Sequence, residues 1–204
     1  ALRTWAPQGP GQCYIACTCR FQLVDSARWR VRWPQGRPAT IAERDEVAAM
    51  EKQRMLISGG SQGIGAALVG LARRHGHDVV FTGRHEESVA EVAERTGAHG
   101  LCADHVVAGV NERVIDACRR EMGGVDVLVN NAGTWYDAPI GELDVGRMRQ
   151  LFEINVFGMV DLTNRIVPLM RAQESGDIVN ISSTSGTKGR KLGTAYAASK
   201  WAVR

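Results

Sequence analysis

The stretch Met55-Leu56-Ile57-Ser58-Gly59-Gly60-Ser61-Gln62-Gly63-Ile64-Gly65 passes from an apolar run into glycines and then into the amphipathic helical pattern of Ala66 to Arg74. A strand that turns sharply into a helix leaves unpaired N–H groups and the positive end of the helix dipole at the turn. A phosphate reaches those groups only where no side chain blocks it, which glycine at 59, 63 and 65 provides. The spacing is G-x-x-x-G-x-G; Leu68 fills the last glycine slot of a G-x-G-x-x-G match begun at Gly63. Gly59, Ser61, Gln62, Gly63, Ile64 and Gly65 are therefore the first candidate nucleotide contacts. A glycine turn alone is a weak signal, so the following strands decide.

Outward from the turn, Asp78 to Thr82 reads as a second strand, followed by Gly83-Arg84 and a helix from about Glu86 to Arg95. Gly100 to Ala103 reads as a third, ending in Asp104, with a helix over Val110 to Met122 behind it. Val125 to Val129 is a fourth and runs into Asn130-Asn131-Ala132-Gly133. A long helical stretch, Asp144 to Met170, contains Asn155 and is expected to break near Gly158 or stop at Pro168. Gly176 to Ile181 is a fifth strand ending in Ser182-Ser183, and a loop rich in Gly, Ser, Thr and Lys leads to Tyr196-Ala197-Ala198-Ser199-Lys200. Near-continuous apolar strands separated by amphipathic helices predict a parallel sheet covered on both faces. The expected fold is a doubly wound, Rossmann-like α/β domain with strand order 3-2-1-4-5.

In such a domain the end of the second strand meets the adenosine ribose. A carboxylate there selects a free 2′-hydroxyl, and a guanidinium suits a 2′-phosphate. Gly83 stands where the carboxylate would be, and Arg84 follows with a planar fork able to grip phosphate. The reading favours NADP(H) over NAD(H); the bland alternative makes Arg84 a solvated loop cation.

Composition excludes other classes. The 204 residues carry 25 Lys+Arg against 22 Asp+Glu, too balanced for a polyanion binder, so nucleic acid is not an expected partner. There is no apolar run of membrane-spanning length, and an odd count of five cysteines argues against a disulfide framework and for a reducing compartment such as the cytoplasm. The first 49 residues differ from the rest: seven arginines, no lysine and four acids, with Trp5, Trp29 and Trp33 and four prolines. They read as a poorly ordered extension outside the working domain of residues 50–204. Arg28, Arg30 and Arg32 alternate with Trp29, Val31 and Trp33, a ribbon able to touch RNA or a membrane, but composition alone explains it. Cys13, Cys17 and Cys19 offer three ligands with no His nearby, against the four of structural zinc, and no metal is expected.

Taken in order, the glycine turn at 59 to 65, Asn130-Asn131-Ala132-Gly133, Asn155, Ser183 and Tyr196 with Lys200 resemble the short-chain dehydrogenases/reductases over residues 54 to 204. The reductase-type branch is the better match, with 3-oxoacyl-carrier-protein reductases as one example, because Ala66 follows Gly65 where the epimerase-like branch has a different turn. Ser58 replaces the usual threonine and keeps its hydroxyl. The resemblance implies that Lys200 also binds the nicotinamide ribose, that Asn155 holds a water in a proton relay, and that Ser183 hydrogen-bonds the substrate oxygen. It places Ala132-Gly133 beside the cofactor and Asp104 at the adenine. Asn131 is read as tying strand ends together, and Asp104 otherwise as a helix cap.

The chemistry follows from the residues themselves. Reducing a carbonyl needs a hydride and a proton, so an acid must sit about 3 Å from the oxygen. A free tyrosine titrates near 10; bringing Tyr196 to 7 asks for about 4 kcal/mol. Lys200, four residues on and on the same helical face, supplies a positive charge that favours phenolate. Ser182, adjacent to Ser183 on a strand, should point the other way. Alone, a helical Tyr/Lys pair is surface decoration and Asn155 a surface amide. The five histidines show no pairing and receive no role; Cys102 and Cys118 read as core.

Family members continue past this helix with a strand, a closing loop and a final helix and strand, whereas the sequence ends at Arg204. The fifth strand is then expected as an unpaired edge, and the chain as a fragment that holds nucleotide weakly and turns over negligibly. Full-length members are homo-oligomers by the same resemblance. The expected function is hydride transfer between NADP(H) and a small carbonyl or alcohol substrate with Tyr196 as acid/base. The rival reading is a non-catalytic NADP-binding sensor or scaffold.

Overall fold

Leu56, Ile57, Val80, Phe81, Leu128 and Val129, the centres of three apolar runs, are at most 2% exposed, because helices cover both faces of the sheet they form. The computed structural model describes residues 51–204 and, before them, the backbone of two strands. Those are β1 (Ala16–Asp25) and β2 (Arg28–Arg32). Then come β3 (Arg54–Ile57), α1 (Gly63–Arg74), β4 (Asp78–Gly83), α2 (Glu86–Thr96), β5 (His99–Cys102), α3 (Val110–Met122) and β6 (Val127–Asn130). They are followed by α4 (Val145–Phe152), α5 (Gly158–Ala172), β7 (Ser175–Ile181) and α6 (Thr194–Ala202).

Strands β5-β4-β3-β6-β7 lie side by side and parallel, which is the order 3-2-1-4-5 counted within the domain. On one face Leu56, Val80, Leu128 and Ile178 pack with Val114 and Cys118 of α3 and Leu162 and Ile166 of α5. On the other, Ile57, Phe81 and Val129 pack with Val69 of α1 and Val89 and Val92 of α2. Each fully buried Leu, Ile or Phe contributes about 1.5–3 kcal/mol. Arg54 pins the start of β3 to the turn before β6, its Nε and Nη2 donating to Asp126 at 3.0 and 2.5 Å. Burial pushes the Asp126 carboxyl up, but the Arg54 hydrogen bonds outweigh it and hold the group below the usual carboxylate range.

The expected break near Gly158 is present, and two expectations need correction: the unpaired fifth strand and Cys102 in the core. The long helix breaks at a π turn, Glu153–Phe157, directly before Gly158, and Pro168 does not stop it: buried Leu162, Ile166 and Met170 hold α5 on the core to Ala172. The fifth strand is not an unpaired edge: β1 lies antiparallel to β7 from Ala16↔Ile181 to Gln22↔Ser175, and β2 pairs with β1. Backbone pairing of this kind removes the row of open N–H and C=O groups. Cys118 is buried, which pushes its thiol up to about 12, whereas Cys102 lies exposed at the end of β5, its thiol donating to the Arg84 carbonyl at 3.5 Å. The side chains of the Arg28–Arg32 ribbon and of Cys13, Cys17 and Cys19 lie outside the described residues. Among those described, no helix is long and apolar enough to cross a membrane.

Candidate active site

The C-terminal ends of the parallel strands open onto one crevice of about 660 Å³, and its floor is the glycine turn. Gly59 has a left-handed backbone, φ +66°, and a Cβ there would stand 2.8 Å from Ala132 Cα. Gly65 is tighter: a Cβ would meet the Gly59 carbonyl oxygen at 2.1 Å and Asn131 Nδ2 at 2.6 Å. Close approach of β3, β6 and α1 therefore requires glycine at both positions. The first hydrogen bond of α1 runs from Ala66 N–H to the Gln62 carbonyl, so the N–H groups of Gly63, Ile64 and Gly65 have no helical acceptor. No acid stands in that first turn, and Arg73 and Arg74 occupy the last, so the open end is electrostatically suited to an anion.

Ser58 and Asn131 weld the two strand ends. Ser58 Oγ accepts the Asn131 and Ala132 N–H groups, both at 3.1 Å, while Asn131 Nδ2 donates to the carbonyls of Ser58 and Gly59 at 3.0 and 2.9 Å. This places the Ala132-Gly133 backbone on the crevice wall. At the far end, Gly83 closes β4, where a Cβ would lie 2.4 Å from Ser61 Oγ and 2.7 Å from Val89 Cγ2, so a carboxylate side chain there would have to displace both. Arg84 lines the crevice beside it, and no carboxylate among the described residues pairs with it. Asp104 lines the same end. Its Oδ1 accepts the Val106 N–H at 3.3 Å; it does not cap α3, whose N-cap is Gly109.

The opposite end is built by β7 and α6. Ser183, Tyr196 and Lys200 all line the crevice. Ser183 Oγ accepts the Ser185 N–H at 3.1 Å and caps a short 3-10 turn, Thr184–Gly186. Ser182 points inward and donates to the Lys200 carbonyl at 2.9 Å, tying β7 to α6. Lys200 Nζ donates to the Ile181 carbonyl at 2.9 Å and stands 5.9 Å from the centre of the Tyr196 ring. Asn155 does not line the crevice. It sits in the π turn, fully buried, where Oδ1 accepts the Thr134 N–H at 2.7 Å and Nδ2 donates to the Thr134 carbonyl and to Ser199 Oγ. The side chain thereby fixes the segment after β6 against the Tyr/Lys helix.

Burial lowers the Lys200 pKa to about 8, so the ammonium is still mostly charged at pH 7. Because the folded state releases this proton more readily than the unfolded chain, stability rises with pH between about 8 and 10.5 and the burial cost is fully present below 8. The stability of Lys200→Met relative to the parent is therefore expected to be about 2–3 kcal/mol higher at pH 7 than at pH 10.5, the lost hydrogen bond to the Ile181 carbonyl subtracting at both. Denaturant unfolding of both forms at the two pH values checks this; a constant gap contradicts it.

Several crevice residues have no signal in the sequence. Trp135, 73% exposed, Asp137 and Arg190 rim the end near Tyr196, Asp137 and Arg190 as an ion pair across 53 residues. Thr82 and His105 line the other end and hydrogen-bond to each other at 2.7 Å. The histidine has no neighbour in sequence that marks it.

A family model described as short chain dehydrogenase matches residues 53–204. An uncharacterized oxidoreductase of Staphylococcus saprophyticus is 35% identical over 160 residues, 72% of this chain and 66% of that protein. One of Bacillus subtilis is 34% identical over 161 residues, 76% of this chain and 57% of the relative. Among solved structures, a short-chain dehydrogenase from Streptomyces avermitilis superposes with a TM-score of 0.71 at 33% identity, covering 75% of this chain and 57% of its own. The chain thus spans about 57–66% of the length of these proteins. The ordered motifs, the parallel sheet and the family match agree, and the chain belongs to the short-chain dehydrogenase family.

Proposed function

We propose that the crevice holds NADP(H) and that the protein is an oxidoreductase acting on a small carbonyl or alcohol, with Tyr196 as the acid/base. The observation that carries this is one continuous crevice with an open helix N-terminus and Arg84 at one end and Tyr196, Lys200 and Ser183 at the other. The residues fit a dinucleotide: the N–H groups of Gly63, Ile64 and Gly65 suit its pyrophosphate, and Gly63 has no atom within 4 Å of where a Cβ would stand. Bound there, the nicotinamide supplies or accepts the hydride. Tyr196 gives its proton to the carbonyl oxygen, or takes one from the alcohol. Lys200 stabilises the phenolate by its charge and Ser183 orients the substrate oxygen. Asn155 holds the wall behind Gly133 in place. Trp135 and the Asp137–Arg190 pair face the substrate end, and exchanging Trp135 or Arg190 should alter KM more than kcat.

The preference for NADP(H) rests on Arg84 beside Gly83, where no carboxylate stands. A charge-assisted hydrogen bond contributes about 1.5–3 kcal/mol, so Arg84→Ala is expected to weaken NADPH about 10- to 100-fold and leave NADH nearly unchanged. Titration of both nucleotides by calorimetry tests it; equal losses for the two, or none, would sink the NADP(H) assignment.

A further inference from the structure

His105 follows Asp104 on the adenosine-side wall of the crevice and belongs to a polar chain with one direction. Its Nε2 lies 2.7 Å from Thr82 Oγ1 and its Nδ1 2.6 Å from Asn111 Oδ1. Asn111, 1% exposed, donates through Nδ2 to Asp161 Oδ2 at 2.6 Å, and Arg165 Nε donates to the same oxygen at 2.9 Å. The hydrogen bonds from Arg165 and Asn111 hold the Asp161 carboxyl below its ordinary range, so it only accepts. The Asn111 amide must therefore turn its nitrogen to Asp161 and its oxygen to His105, which places the imidazole proton on Nδ1. In the neutral ring Nε2 is then an acceptor, and the Thr82 hydroxyl donates to it. That leaves the Thr82 oxygen to accept from the Gly59 N–H, 3.4 Å away. His105 also packs on α5 at its first residue: a Cβ on Gly158 would stand 3.3 Å from the His105 Cβ and carbonyl oxygen.

We propose that His105 is a positioning residue for the nucleotide: as the Nδ1–H tautomer it holds Thr82, and through Thr82 the Gly59 end of the glycine turn, in register with Asp104 and α5. The inference rests on the cofactor assignment above. Burial pushes the imidazole pKa down against the opposing pull of the Asn111 hydrogen bond and the Asp104 and Asp161 charges, so the ring is neutral at pH 7. Asp104 on its own segment, Asp161 and Arg165 on α5 and Glu112 on α3, which pairs with Arg165, are the charged groups around this chain. Protonation turns Nε2 from acceptor to donor and removes the acceptor for the Thr82 hydroxyl.

The test is a double-mutant cycle on NADPH affinity, measured by calorimetry on the 204-residue chain at pH 7.5, with Thr82→Val and His105→Asn. His105→Asn retains a donor for Asn111 and loses the reach to Thr82; Thr82→Val keeps the shape and loses the hydroxyl. Each is expected to raise Kd about 5- to 10-fold, and the double variant no more than the larger single. His105→Gln, whose amide oxygen reaches Thr82, should restore affinity to within about threefold of the parent. The loss of affinity on acidification should be steeper in the parent than in His105→Asn, which retains only the titration of the nucleotide's own 2′-phosphate. Lower melting temperatures with unchanged Kd, or losses that simply multiply in the double variant, overturn the inference while leaving the cofactor assignment intact. A parent chain that binds no NADPH overturns both.

Discussion

In any form of this protein that turns over a carbonyl substrate, Tyr196→Phe is expected to lower kcat about 10²- to 10⁴-fold, the usual worth of a positioned proton donor. NADPH affinity should change by less than about tenfold, because the ring and its packing stay while one hydroxyl goes. The split follows from the crevice: Tyr196 lies at the end opposite Arg84 and the α1 N-terminus, where most of the anionic charge of a dinucleotide would be held. Steady-state kinetics beside equilibrium titration separate the two effects. Unchanged turnover in Tyr196→Phe would remove the tyrosine from the mechanism, and tight NADPH binding without turnover in the parent would favour the sensor or scaffold reading.

The second large effect is on the glycine turn. Gly65→Ala should destabilise the fold by about 3 kcal/mol or more, because its Cβ would enter 2.1 Å from a backbone oxygen. That oxygen cannot retreat, being held by Asn131 Nδ2 at 2.9 Å. For a chain of this size the loss corresponds to a fall of roughly 6–12 °C in Tm. Gly63→Ala provides the contrast. Nothing crowds its Cβ, yet its φ is +54° and the methyl would stand in the open mouth of α1. A small stability loss of about 1–2 kcal/mol is expected. NADPH affinity should nonetheless fall more than tenfold, since the methyl stands over the N–H groups assigned to the pyrophosphate. Thermal unfolding with and without nucleotide distinguishes the two substitutions; a Gly65→Ala protein as stable as the parent contradicts the packing described here.

The parallel core was legible because its information is local. Runs such as Val79-Val80-Phe81 and Val127-Leu128-Val129 are apolar on both faces, and each is separated from the next by a helix with one apolar stripe. The glycine turn was legible because steric demand there selects one residue type. The crevice residues that the sequence reading left unassigned have a different origin. Arg190 meets Asp137, and His105 meets Asn111 and then Asp161, only after helices cross over the sheet, and no spacing along the chain encodes those contacts. The π turn at Glu153–Phe157 is likewise set by packing: by inserting there Asn155 accepts from the Thr134 N–H and donates to the Thr134 carbonyl and Ser199 Oγ, which periodicity cannot register. Cys102 misled because an apolar-looking position at a strand's last residue lies at the sheet's rim, where nothing covers it. The pairing of β1 with β7 joins segments more than 150 residues apart and was invisible for the same reason.

Hydrogen exchange of the 204-residue chain with and without saturating NADPH tests the whole account most directly. The assignment of one crevice running from α1 to α6 predicts slowed exchange in four places at once: residues 59–65, 83–85, 131–134 and 183–200. Protection confined to the glycine turn with residues 183–200 unaffected, or no protection anywhere, would contradict it.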